Sequence, residues 1–395
     1  MKLSTILGLP HHHHIIIYII LVLIVESGMK LLTNRETLLE PLQAISGIVE
    51  RRLSLPILAT TLVNAQRESI TFTATDLEVE LVTGISQPVQ EPGIITLPAK
   101  KLLDITRSLP PNSAIGIESS DSRAAVRCGK SRFSLLAVSA AEYPVIGDFE
   151  PILVFEIPPR DLKGIIEGTQ FSMAHQDVRY WFNGLMLEIG NNRIRAVATD
   201  GHRLALSEAE VVMNIETPVQ IIVPRKGIIE IFRILAETSE AVQIRVGTNH
   251  IQVKQGAYTL TSKLIDGRFP DYERVLAEKG DKIVKANRES LRQGLARTSI
   301  LSNEKFRGIK IALEMNVLRS AAHNTEQEEA EEEIEVNYSG APLEIGFNAS
   351  YLLDVLSVIK TDTVRLEFSK PDRSCLIRPE GGSANCRYVV GPIRL

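Results

Sequence analysis

The sequence predicts an α+β fold: three similar domains in tandem, each with two helices packed on antiparallel sheet. Three observations predict it. The chain has 395 residues, 44% of them hydrophobic and 23% charged, and single cores stop growing beyond about 250–300 residues, so two or three domains are needed. The order apolar strand, polar break, amphipathic helix occurs three times at nearly constant spacing, the mark of an internal repeat. The stretches between are short alternating or β-branched runs bounded by Gly, Asn and Asp, which read as antiparallel strands.

The repeat is seen in GIITLPAKKLLDITRSL from Gly93, VQIIVPRKGIIEIFRIL from Val219 and LEIGFNASYLLDVLSVI from Leu343. Their break residues Pro98, Pro224 and Asn348 are 126 and 124 residues apart. A second helix type starts after Asn34, at Pro159 and after Asn287, with Arg35, Arg160 and Arg288 spaced by 125 and 128. Ala74-Thr75-Asp76, Ala198-Thr199-Asp200 and Ala322-His323-Asn324 recur at 124 and 124, and Tyr143-Pro144 is echoed by Phe269-Pro270 after 126. These spacings divide the chain into an N-terminal extension, 1–28, and domains at 29–152, 153–274 and 275–395.

Taken in order, the extension comes first. Ile15 to Val25 is an uncharged apolar run after His11 to His14. It is shorter than the about 20 residues of a spanning helix, and no small-residue cleavage site follows, so residues 1–28 are expected to lie outside the fold. In the first helix type, Leu38, Leu42, Ile45 and Val49 share one face at the helical period. In the second, Ile228, Ile231, Phe232 and Leu235 do so, as do Leu352, Val355, Leu356 and Ile359. Strands are expected within Ser69 to Ile85, Arg193 to Asp200, Val242 to Gly247, His250 to Ile265 and Val364 to Ser369. Helices covering one face of antiparallel sheet make an α+β unit.

Charge bears on function less directly. Lys+Arg number 44 against 48 Asp+Glu, a net charge of −4, which argues against a generally basic nucleic-acid coat and leaves room for a local basic surface. Lys100, Lys101 and Arg107, Arg225, Lys226 and Arg233, and Arg288, Arg292 and Arg297 fall on helices. They are either ordinary solvated cations or one phosphate-binding surface. The acidic run from Glu326 to Glu335 lacks the spaced oxygen ligands of a calcium loop. It reads as a solvated face or a charge-paired interface, and Arg127, Lys130 and Arg132 around Phe133 form its basic counterpart. A head-to-tail contact between chains follows, which closes a ring if the rotation allows.

Catalytic chemistry finds little support. Asp200 and His202 could form an acid/base pair or a structural turn, and no activated nucleophile accompanies them. Ser302 and Lys305 match S-x-x-K without its companion motifs. A phosphate loop and an H-E-x-x-H metal pair are both missing from the sequence. The three cysteines, Cys128, Cys375 and Cys386, include no C-x-x-C pair, which disfavours a disulfide framework or structural zinc and favours a reducing compartment, the cytoplasm. No cofactor, metal or catalytic residue is expected.

From Met29 to Leu395 the chain resembles the bacterial DNA polymerase III beta subunit, the β sliding clamp family. The resemblance rests on TQFSMAHQDVRYWFNG (Thr169 to Gly184), VATDGHRLAL (Val197 to Leu206), VPRKGIIE (Val223 to Glu230), SKLIDGRFPDYERV (Ser262 to Val275), LSNEKFRGIKI (Leu301 to Ile311), NTEQEEAEEEIEV (Asn324 to Val336) and the terminal GPIRL (Gly391 to Leu395). It implies a head-to-tail homodimer with the DNA clamp fold, a ring that encircles duplex DNA, slides, and confers processivity on the polymerase. A separate ATP-dependent loader would open it.

The same resemblance implies sites. DNA contacts would fall at Arg52, Lys100, Gln176, Tyr180 and Trp181, although core packing is the alternative for the two aromatic residues. A partner-peptide cleft would be formed by Phe182, Thr199, Gly201, His202, Arg203, Leu204, Pro270, Arg274, Val275, Asn348, Tyr351, Val389, Val390, Pro392, Ile393, Arg394 and Leu395. Such an apolar pocket with a polar rim suits a short peptide with one or two hydrophobic anchors. Gly391 stands where relatives commonly have methionine, which puts a gating or wall contact by that side chain in question. The dimer seam would use Lys101, Arg132, Phe133, Ile300 and Leu301, with Glu326, Glu328 and Glu329 opposite the cations. Implied partners are double-stranded DNA and primed template, the polymerase III alpha subunit, the clamp loader delta subunit, repair and translesion polymerases, mismatch repair proteins, and a second copy of the chain. The rival readings are a static DNA-binding scaffold without ring closure and an enzyme using Asp200 and His202.

Overall fold

A computed structural model describes residues 28–49, 55–120, 122–213, 215, 217–278, 280–381 and 385–394. Nearly all of the expected extension, together with Arg52 and Leu395, therefore lies outside the described residues. The chain forms two compact units, one comprising residues up to 152 with 245–262, the other Leu153–Ile244 with Lys263–Leu395.

The first unit holds helices α1 (Arg35–Ile45) and α2 (Ala99–Ser108). One of its sheets has the order Lys30–Asn34, Ala114–Ser120, Arg123–Cys128, Ser131–Leu136. Another runs Gly93–Pro98, Thr60–Gln66, Ser69–Thr75, Val79–Ser86 and continues into Tyr258–Lys263 and His250–Gln255. The stretch from Ser69 to Ile85, where strands are expected from the alternation, is a hairpin of two antiparallel strands. Leu38, Leu42 and Ile45 of α1 are buried as expected, but the helix ends at Ile45 and Ile48 replaces Val49 in the core.

The second unit holds α3 (Pro159–Glu167), α4 (Arg225–Ile234), α5 (Tyr272–Leu276), α6 (Arg288–Thr298) and α7 (Ala349–Val358). Its eight-stranded sheet runs Val219–Pro224, Gly184–Gly190, Arg193–Thr199, Arg203–Glu210, Asn385–Val390, Cys375–Glu380, Thr363–Phe368, Lys282–Asn287. A four-stranded sheet runs Glu329–Glu335, Val317–His323, Gly308–Glu314, Leu343–Asn348. On α4, Ile228, Ile231 and Leu235 are buried, whereas Phe232 is only partly so and carries the Lys163 ammonium 5.7 Å from its ring centroid; Ile234 fills the core instead.

Two sheets cross repeat boundaries. Val82 and Leu81 pair with Thr259 and Leu260, and Leu204 and Leu206 pair with Val389 and Arg387. Each join covers strand edges that would otherwise present unpaired N–H and C=O groups. The two four-stranded sheets instead end on Ser131–Leu136 and Glu329–Glu335.

The repeated motifs have structural work. Arg35 donates from Nε to the Thr106 carbonyl at 3.1 Å and from Nη2 to the Arg107 carbonyl at 3.1 Å. Arg288 does the same at the end of α7, to Thr361 O at 3.2 Å and Leu356 O at 3.3 Å. Each cation at the start of one helix thus satisfies carbonyls at the end of its antiparallel neighbour and faces the negative end of that helix. Arg288 is therefore a helix clamp, not a member of a free phosphate-binding row. Arg160, the counterpart, is exposed. Arg35→Met and Arg288→Met should each lower stability by about 1–2 kcal/mol, and Arg160→Met by less than about 0.5 kcal/mol, as read by urea denaturation.

The Ala-Thr-Asp repeat is a turn. Thr75 Oγ1 accepts from Leu77 N, and Asp76 Oδ1 from Glu78 N and Val79 N, at 2.7–3.1 Å. Thr199 Oγ1 accepts from Gly201 N, and Asp200 Oδ1 from His202 N and Arg203 N, at 2.9–3.1 Å. Asn324 Oδ1 serves Glu326 N and Glu328 N likewise. Asp and Asn fit because a short side chain can reach its own backbone two residues on.

Candidate functional site

The turn at Thr199 to Arg203 builds one wall of a cleft. Gly201 has φ +87°, a backbone conformation that strains any side chain, and a Cβ there would also have to displace the Arg179 guanidinium, 2.9 Å away. Arg203 is held on every side. Its Nε meets Asp200 Oδ2 at 3.1 Å, Nη1 pairs with Asp354, and Nη2 donates to the Phe171 carbonyl at 2.8 Å. Its guanidinium also sits 4.5 Å from the Tyr351 ring centroid, and the His202 and Tyr351 rings are within 19° of parallel. Asp200 spends one carboxylate oxygen on backbone N–H groups and the other on Arg203. It is a turn former, which removes the acid/base reading of Asp200 with His202.

Between this wall and the segment Phe269 to Val275 lies a cleft of about 700 Å³. Phe182, Leu204, Phe269 and Val389, each less than 8% exposed, turn one side to the core and one to the cleft. Phe182 and Phe269 meet edge-on at 6.3 Å. Tyr351, Pro392 and Ile393 extend the apolar lining, and Asn348, Lys305 and Arg394 add polar groups. Gly391 brings the C-terminal segment against the turn, its N–H donating to the His202 carbonyl at 2.8 Å, and Ile393 N donates to Gly346 O at 2.9 Å.

The structure brings Phe182, Thr199, Gly201, His202, Arg203, Leu204, Pro270, Val275, Asn348, Tyr351, Val389, Pro392, Ile393 and Arg394 together around this cleft. It does not bring Arg274 or Val390. Arg274 is exposed on α5, and Val390 is fully buried in the adjacent core, opposite Arg203 and Cys375. Residues missed from sequence are Phe269, Asp271, Tyr272, Lys305, Phe306 and Ser374, while Gly391, singled out above for its missing side chain, also lines the cleft. Phe269 had a signal in its repeat with Tyr143. Phe306 is 62% exposed on a turn held by Asn303, and that loop position carries no periodicity.

The segment before Phe182 carries the expected aromatic DNA contacts. Gln176 and Tyr180 are exposed, Tyr180 by 52%. Trp181 is only partly exposed: it packs on the core with its indole N–H buried, and stands edge-on to Tyr180 at 5.1 Å. Core packing thus accounts for much of Trp181. Asp177 braces the segment, accepting from Arg179 Nε at 3.0 Å and Nη2 at 2.8 Å. These bonds hold its carboxyl down at about 2, from 3.8. A depressed folded value means the stabilisation is complete above 3.8 and is lost as pH falls through about 2. Carboxyl NMR should find Asp177 mostly ionised at pH 3, and mostly protonated there in Arg179→Met.

The other expected contacts are scattered over surfaces. Lys100 and Lys101 are exposed on α2. Several cations of the expected helix row are committed elsewhere, however. Arg225 donates to the Met173 carbonyl, Arg233 pairs with Glu230, Arg292 with Glu289, and Arg297 with Glu332. On the sheet edge Ser131–Leu136, Arg132 is exposed, Phe133 is partly buried and Leu136 is 58% exposed. Near the edge Glu329–Glu335, Glu326, Glu328 and Glu329 are exposed, Ile300 is 75% exposed and Leu301 is partly buried. Among the described residues there is no cluster of three or more His, Cys, Asp or Glu able to hold a metal, and no helix long and apolar enough to cross a membrane.

Comparison with known proteins gives a consistent result. Residues 29–147 match the N-terminal domain of the DNA polymerase III beta subunit, 156–271 its central domain and 273–394 its C-terminal domain. The chain is 48% identical over 368 residues to the beta sliding clamp of Pseudomonas putida KT2440, and 45% identical over 369 residues to that of Escherichia coli K12. Each alignment covers 93% of this chain and all of the relative. A crystal structure of the DNA polymerase sliding clamp from Pseudomonas aeruginosa superposes with a TM-score of 0.89 at 46% identity, again over 93% of this chain and 100% of that one.

Proposed function

The chain belongs to the DNA polymerase III beta-subunit family, the sliding clamps, and from that premise we propose how it closes, what it holds and where partners dock. It is a non-catalytic clamp for DNA polymerase III. The observation that carries the closure is the pair of uncovered sheet edges. Within the chain, sheets run on from one repeat into the next; the edge Ser131–Leu136 carries Arg132, and the edge Glu329–Glu335 is acidic. Two copies placed head to tail continue each sheet through the same kind of join, twice, with Lys101 and Arg132 facing Glu326, Glu328 and Glu329. Phe133, Ile300 and Leu301 are the apolar part of that seam.

A closed ring cannot leave duplex DNA sideways. Retention comes from topology, so contacts to phosphate need only be weak and independent of sequence, which permits sliding. Lys100 serves phosphates, and Gln176 and Tyr180, with Trp181 behind them, meet DNA at primed template, where an exposed ring can stack on an unpaired base. Arg52 belongs to the same set.

The cleft takes a short acidic peptide with apolar anchors. Its floor is aromatic and aliphatic, and Lys305, Arg394 and the His202 turn stand at its polar margin. The polymerase alpha subunit, the loader delta subunit, repair and translesion polymerases and mismatch repair proteins would then compete for one site per chain, in the cytoplasm. Light scattering on the purified protein should give twice 43.7 kDa; a monomer at every concentration contradicts head-to-tail closure.

A further inference from the structure

Given the cleft as the partner site, we propose that Arg195, which does not line it, is the positioning residue that fixes its wall by locking Tyr272 and α5 to the sheet. Arg195 is 5% exposed, in the middle of a strand. In the two flanking ladders it lies directly opposite Glu188 and Glu208. Its Nε meets Glu208 at 3.0 Å, and its Nη1 meets Glu188 at 3.3 Å, the Tyr272 hydroxyl at 2.7 Å and Glu273 at 3.1 Å. The Tyr272 hydroxyl in turn donates to Glu188 at 3.2 Å.

One guanidinium thus ties two strands of the middle repeat to both leading residues of α5. That helix has five residues, too few to be stable by itself. Its place must come from outside. Tyr272 supplies it: the ring is 5% exposed, sits in the core cluster with Phe182, Leu204 and Val389, and lines the cleft, while its hydroxyl end reaches the Arg195 hub. Phe269 to Val275, the wall opposite the His202 turn, is held from behind by this bond network together with the burial of Phe269 and Tyr272 in the core cluster. Lysine is a poor replacement for Arg195, because one ammonium cannot stand both where Nε meets Glu208 and where Nη1 meets Glu188, Tyr272 and Glu273.

The test uses the full-length chain and a fluorescent pentapeptide with one leucine, one phenylalanine and one aspartate. Arg195→Lys should weaken its binding about tenfold, mainly through faster dissociation, and Tyr272→Phe, which keeps the ring and removes only the hydroxyl, about threefold. The double variant should lose less than the product of the two single losses, since both variants break the bond between Arg195 and Tyr272, and the dimer mass should not change. If Arg195→Lys does not fold, the Tyr272→Phe loss decides. Unchanged peptide affinity in the folded variants, even with a lowered Tm, overturns the proposal, as do additive losses. If the unaltered chain ignores the peptide, or Tyr351→Ala does not weaken binding, the cleft reading itself has failed, a result distinct from silence at Arg195 alone.

Discussion

Reversing Arg132 to glutamate should dissociate the dimer and leave the chain folded. Arg132 is exposed on the edge Ser131–Leu136, so its substitution should cost the single chain less than about 0.5 kcal/mol. At the proposed seam it would replace attraction to Glu326, Glu328 and Glu329 with repulsion. Close charge pairs across interfaces couple by about 1.5–7 kcal/mol. A ring of two chains contains the seam twice, so even about 2 kcal/mol per seam raises the dimer dissociation constant about a thousandfold. Sedimentation at micromolar protein should show monomers. Adding Glu329→Arg should restore much of the dimer, and a double variant as monomeric as Arg132→Glu would count against this pairing.

Tyr351→Ala empties the middle of the cleft. The ring stacks near His202, covers the Arg203 guanidinium at 4.5 Å and lines the cavity. Aromatic anchors of this kind commonly cost 2 kcal/mol or more on truncation, about thirtyfold in affinity. Peptide binding should fall by that factor while the dimer mass stays constant, since Tyr351 lies on neither sheet edge. Loss of both together would point to unfolding.

Much of this was legible in the residues. Helix faces such as Leu352, Val355 and Leu356 follow from local periodicity, and the chain buries them as expected. The spacing of Ala-Thr-Asp located three equivalent turns, though only the hydrogen bonds showed that Asp200 is a backbone cap. The continuation of sheets across repeats was hidden, because Leu204 opposite Val389 is a pairing across 185 residues, with no local sign. From the residues alone Arg288 reads as one of a row of helix cations and Arg35 as a repeat marker only; their carbonyl partners show both to be helix clamps. Tyr272 was invisible for a related reason: it acts through a side-chain network reaching Arg195, whereas Phe306 sits on a loop without a pattern.

The central claim is topological, and loading onto nicked circular DNA tests it most directly. With the loader and ATP supplied, the protein should remain on circles through high salt and run off once the circle is linearised by a single cut. Equal retention on circular and linear DNA, or loss from both as salt rises, would contradict a closed ring.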